Sequence, residues 1–119
     1  MTRRPNPRTK TSATLFAALG DETRLRIVLR LSHGNPMSIT ELAAGGEITR
    51  QAVTKHLHAL AGAGLARGMR TGREQRRSLD RKRVEQARAF LEGISQRWDD
   101  ALARLKTMVE ESEQRTLIS

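Results

Sequence analysis

The chain has no cysteine and no tyrosine, and Phe16, Phe90 and Trp98 are its whole aromatic supply. Without cysteine there are no disulfides, no thiolate metal ligands and no thiol nucleophile, and a reducing cytoplasm is the simplest home. With so few aromatics the core must come from Leu, Ala, Ile and Val, a composition that favours helices. No apolar run approaches the length of a bilayer span or a signal-peptide core, so a cytoplasmic protein that avoids membranes is expected. At 119 residues the chain can hold one domain with a modest core.

Acidic residues are scarce where basic ones gather. The formal net charge is +9, and the excess sits in two places. Residues 1–10 carry Arg3, Arg4, Arg8 and Lys10 with no acid, and residues 48–79 carry seven basic residues against Glu74. Residues 80–119 are balanced. Solubility asks only for mixed charge spread over a surface, so this placement points to a polyanionic partner.

Catalytic signatures are missing too. Asp99-Asp100 and Glu110-Glu111 are neighbours on a helical pattern, where adjacent side chains point about 100° apart and cannot converge for acid–base work. Gly45-Gly46 and Gly62-Ala-Gly64 lack the spacing and lysine of a phosphate-binding loop. No enzyme and no cofactor are expected. His56 and His58 lie two apart on one helix and cannot share a metal ion, and His56, near the core side, reads as a satisfied packing histidine.

The stretch Thr49 to Gly62 carries the clearest signal. Thr49 can accept a backbone N–H as an N-cap, and Ala52, Val53, Leu57, Leu60 and Ala61 then recur at helical spacing on one face. The opposite face holds Arg50, Gln51, Thr54, Lys55 and His58, which can donate, accept and meet phosphate, with no carboxylate among them. The pattern fits a helix that reads the major groove of double-stranded DNA. It also fits a plain amphipathic helix with a solvated face.

Elsewhere the chain falls into short elements. Residues 1–11 read as a disordered basic arm. Leu15, Phe16 and Leu19 mark a helix from Ser12 that Gly20 can end in a left-handed conformation. Asp21 and Glu22 open a second helix, with Leu25, Val28, Leu29 and Leu31 on its buried side. Met37 to Ile39 can form a brief strand, and Ser38 with Glu41 can form a capping box for a short helix ending at Ala44. Gly45-Gly46 then turns into the Thr49 helix. That order reads as helix-turn-helix.

Residues 65–79 read as two short strands around Thr71-Gly72-Arg73. The hairpin is the densest positive patch, with Arg67, Arg70, Arg73, Arg76 and Arg77 against Glu74. Its basic edges can protect a sheet from pairing, or lie along phosphates as a wing. From residue 80 to 111, Val84, Ala87, Leu91, Ile94, Trp98, Ala101, Leu105 and Met108 alternate spacings of three and four. So long an apolar seam needs a cover, and a second copy of the chain is the economical one, with Leu15 and Phe16 packed alongside Leu91, Ile94, Trp98, Ala101 and Leu105. Residues 112–119 read as a frayed tail. The expected architecture is mainly α, a winged helix-turn-helix domain over 12–111 that includes a dimerisation helix.

Taken together, Ala18-Leu-Gly-Asp-Glu-Thr-Arg-Leu-Arg-Ile-Val28, Ser38-Ile-Thr-Glu-Leu-Ala43, Gln51-Ala-Val-Thr-Lys-His-Leu57, Gly64-Leu65 and Gly72-Arg-Glu-Gln-Arg-Arg-Ser-Leu-Asp80 resemble the ArsR family of bacterial winged-helix repressors. The resemblance covers about residues 12–109. It implies a dimeric transcription factor, usually a repressor, on a pseudo-palindromic operator. It places base or phosphate contacts at Thr49, Arg50, Gln51, Thr54 and Lys55, with Arg73 and Arg76 in the wing. His58 joins them on the outer face.

The chain also departs from that family. Where metal-sensing relatives carry cysteines it has Leu42-Ala-Ala-Gly-Gly46, and no histidine follows His58, so both metal boxes are absent and no effector is indicated. Arg77 stands where relatives often carry an aromatic residue. The stretch Trp98-Asp-Asp-Ala-Leu-Ala-Arg-Leu-Lys106 is similar to a metal-independent branch. A competing reading is a winged helix whose basic surface meets an acidic protein instead of DNA.

Overall fold

The computed structural model describes residues 7–118. Five helices and three strands follow in the order α1 (Pro7–Leu19), α2 (Glu22–Leu31), β1 (Met37–Ser38), α3 (Ile39–Ala43), α4 (Arg50–Gly62), β2 (Ala66–Thr71), β3 (Glu74–Leu79) and α5 (Arg81–Ile118). The strands make one antiparallel sheet in the order β1-β3-β2. The chain divides into two compact units, one extending to Ala87 and one from Arg88 onward.

In the first unit, Leu15 and Ala18 of α1, Ile27 and Leu31 of α2, Leu42 of α3, and Val53, Leu57 and Leu60 of α4 form one buried cluster with Ala63, Leu65 and Ala66. Phe16, Val28, Met37, Ile48, Leu79 and Ala87 pack around it. The core is aliphatic, as the shortage of aromatics requires. Burying it is what holds these short helices, which would be marginal alone.

Local chemistry sets the boundaries. Asp21 accepts the N–H of Arg24 at 2.9 Å and starts α2. Ser38 accepts the N–H of Glu41 at 3.1 Å while the Glu41 carboxylate takes the N–H of Ser38, completing the capping box that starts α3. Helix α4 ends in a Schellman motif: Gly64 N–H donates to Ala61 O at 3.0 Å and Leu65 N–H to Leu60 O at 2.9 Å. Gly64 sits at φ +78°, a left-handed conformation that suits glycine.

Several boundaries differ from those the sequence suggests. Helix α1 begins at Pro7, so residues 7–11 are helical, because proline's fixed φ suits a first helical turn. The remainder of the expected basic arm lies outside the described residues. Gly20 does not take a positive φ. Instead Arg24 covers the end of α1, its Nε donating to Ala18 O at 2.6 Å and its Nη2 to Ala17 O at 3.4 Å. Helix α5 continues through the expected tail to Ile118, since residues 112–118 contain neither glycine nor proline to stop it.

The second unit is the distal part of α5. Along it Leu91, Ile94, Trp98, Leu102, Leu105, Met108 and Val109 are exposed, Trp98 at 67%. No helix among the described residues is long and apolar enough to cross a membrane.

Candidate nucleic-acid interface

Thr49 accepts the N–H of Ala52 at 3.1 Å and caps α4. Val53, Leu57 and Leu60 anchor the helix in the core, which leaves Arg50, Gln51, Lys55 and His58 exposed on its outer side. Thr54 is half-buried and its hydroxyl donates to Arg50 O at 2.9 Å. The structure therefore gathers the expected reading residues into one stripe. No carboxylate pairs with Arg50 or Lys55 among the described residues, so the stripe keeps its positive charge.

The hairpin closes with Thr71 paired to Glu74 around Gly72-Arg73, and Gly72 has φ +63°. A two-residue loop of this kind needs positive φ, and glycine supplies it. Arg67, Arg70 and Arg73 are exposed. Alternation along the strands puts Gly68, Arg70, Gln75 and Arg77 on the face of Ala66 and Leu79, and Arg67, Met69, Arg76 and Ser78 on the other.

Arg76 overturns an expectation. It is turned into the fold, with Nη1 donating to Pro36 O at 3.1 Å and lying 3.1 Å from Glu41 Oε1, and Nη2 3.1 Å from Glu74 Oε2. Its charge is balanced within the protomer, and its role is to tie β3 to the start of α3. Arg77, which the sequence placed in the basic hairpin patch but not among the named contacts, is the half-buried arginine of the opposite face. The signal that could have found it is Gly68, which stands opposite it in register.

Leu15 is the second correction. It is 1% exposed in the aliphatic core and has no surface to offer a partner. Phe16 is half-buried against the same core. The remaining expected interface residues, Leu91, Ile94, Trp98, Ala101 and Leu105, are exposed on α5.

His56 is half-buried but not satisfied: its buried Nδ1 makes no hydrogen bond and lies 3.8 Å from Asp21 Oδ2. Asp21 itself is held below the usual carboxylate range, first by the Arg24 N–H it accepts and then by the nearby charges of Arg24 and His56. No group of His, Asp and Glu among the described residues could hold a metal ion.

This geometry presents cationic donors to a polyanion. Comparison with known proteins agrees. Residues 19–68 match a helix-turn-helix domain family. The HTH-type transcriptional regulator YuzN of Bacillus subtilis (strain 168) is 42% identical over 65 residues, covering 50% of this chain and 71% of that protein. Among solved structures, an ArsR-like transcriptional regulator from Rhodococcus sp. RHA1 superposes with TM-score 0.76 at 36% identity, covering 84% of this chain and 93% of that one.

The chain belongs to the ArsR-like winged helix-turn-helix regulators. It is a DNA-binding transcriptional regulator, and the family is one of regulators, not enzymes. In the regulator, α3 and α4 are the helix-turn-helix pair, and β2 and β3 are the wing. A homodimeric winged helix-turn-helix DNA-binding domain from Mycobacterium bovis shares the fold with TM-score 0.60 at 19% identity, covering 81% of this chain and 91% of that one.

Proposed function

We propose that the regulator is a homodimeric repressor that binds a pseudo-palindromic operator, including one at its own promoter, and blocks polymerase there. Two protomers set their α4 helices in successive major grooves about 34 Å apart. Thr49, Arg50, Gln51, Thr54, Lys55 and His58 face bases and adjoining phosphates, while Arg73 at the wing tip grips the flanking backbone. The observation that carries this reading is the acid-free exposed stripe on a capped, core-anchored helix beside an arginine hairpin. The exposed apolar face of α5 supports pairing of two chains, as does the homodimeric state of the M. bovis neighbour. Under this proposal the winged helix binds DNA, α5 joins the protomers, and the tail beyond residue 111 prolongs that helix.

Footprinting over the gene's own upstream region supplies a cognate site, and fluorescence anisotropy then compares it with random duplex. Gln51→Ala is expected to cost about 1–3 kcal/mol on the cognate site and little on random DNA. Equal loss on both would remove Gln51 from base reading. Absence of any duplex binding at low salt would favour an acidic protein as the partner and end the DNA reading.

A further inference from the structure

Between α4 and the wing lies an open groove of about 270 Å³. Leu57, His58 and Ala61 line it from the helix, and Ala66, Gly68, Gln75 and Arg77 from the hairpin. Arg77 reaches it because Gly68, its partner on β2, has no side chain: a Cβ there would stand 3.3 Å from Nη1 of Arg77. Both terminal nitrogens of the guanidinium donate to Gln75 Oε1 at 3.3 Å. The amide holds the group in place without cancelling its charge. No carboxylate lines the groove.

A larger groove of about 610 Å³ on the far side of the wing differs in kind. Its arginines are already committed: Arg30 donates to Leu42 O at 2.9 Å and Glu41 O at 3.1 Å, and Arg76 to Pro36 O and two carboxylates. Glu41 also lines it, which opposes an anion. The smaller groove is the one whose arginine is held by a neutral amide and faces no carboxylate.

We propose that this groove seats a backbone phosphate of duplex DNA, with Arg77 as the charged donor and His58 as the second donor across from it. The proposal rests on the DNA reading above. With α4 in the major groove and the wing on the flanking backbone, the strand that joins these two regions must cross the space between the two elements. The apolar floor of Leu57, Ala61 and Ala66 suits the deoxyribose face, and the paired N–H groups of a guanidinium suit a phosphate's oxygens. Arg77 thus takes the phosphate role that Arg76 gives up to the fold, and it does so from a position facing the reading helix.

The test is the salt dependence of binding to a random-sequence duplex, read by anisotropy between 50 and 200 mM salt. Each phosphate contact contributes a log–log slope of about −0.9. Arg77→Gln is expected to flatten the slope by about 0.9 per protomer, so that roughly threefold less affinity per protomer is lost over this range. Arg76→Gln, with helical content checked by circular dichroism, is expected to keep the wild-type slope. A wild-type slope in Arg77→Gln while the parent binds normally overturns the phosphate seat and leaves the DNA reading standing. Failure of the parent to bind duplex even at 50 mM overturns both.

Discussion

At the scale of single residues, the arginines divide by whether a backbone carbonyl lies within their reach. Arg24 serves Ala17 and Ala18, Arg30 serves Glu41 and Leu42, Arg76 serves Pro36, and Arg83 serves Ala63 at 2.8 Å and Thr11 at 2.8 Å. A carbonyl oxygen has two lone pairs, so a long cation reaching across the fold can add a donor to it, as at the ends of α1 and α3. Arg67, Arg70 and Arg73 find no such carbonyl and stay on the surface. Counting charges along the sequence cannot separate the groups, because the partners of Arg76 and Arg83 lie far away in the chain. Asp21 is a local case and yields a prediction. Its pKa is lowered on folding, so the charged cap contributes stability above the unfolded value near 3.8, and that contribution is lost as pH falls through the folded value below it. Asp21→Asn can still accept the Arg24 N–H but has no charge to lose. Urea unfolding at pH 7 and pH 3 should therefore show the wild type ahead of Asp21→Asn at pH 7 with that lead shrinking at pH 3. A lead that stays constant with pH would assign it to something other than the carboxylate.

At the scale of elements, what could be read beforehand was whatever depends on neighbours within about four residues. The Thr49 cap, the Ser38–Glu41 capping box and the turn at Gly72-Arg73 are of that kind, and all stand where their residue types put them. The pairing of β1 with β3, Met37 against Arg77 and Ser38 against Arg76, joins residues about forty positions apart and left no local mark. The glycines at the end of α4 sharpen the point, since two of the same residue two positions apart have opposite roles. Gly62 is the last residue of α4 and a Cβ there would meet nothing within 4 Å. Gly64 has φ +78°, and a Cβ there would meet Nε of Arg83 at 3.4 Å, the nitrogen that caps Ala63 O. Gly62→Ala is expected to raise stability by a few tenths to about 1 kcal/mol through helix propensity. Gly64→Ala is expected to lower it by about 1–2 kcal/mol through left-handed strain. Urea midpoints with unchanged m-values would read both, and equal shifts of one sign would refute the division.

At the scale of the whole molecule, the fold is an aliphatic core that fixes a reading helix and a wing, together with a helix of 38 residues, about 57 Å long, whose distal apolar residues are exposed. Periodicity made that face legible, but the composition alone could not say that Leu15 belongs to the core and not to the same surface. The proposed pairing through α5 can be tested at Trp98, which is 67% exposed in the protomer. An aspartate at an exposed helical position costs the protomer less than about 1 kcal/mol. In an interface it would be a buried, unpaired charge, which costs several times more and is avoided by dissociation. Trp98→Asp should therefore keep its helical content yet sediment as a monomer. Each binding event on random duplex would then engage the phosphates of one protomer instead of two, so the salt slope should fall to about half. A variant that still sediments as a dimer with the full slope would place the contact between protomers somewhere other than this face of α5.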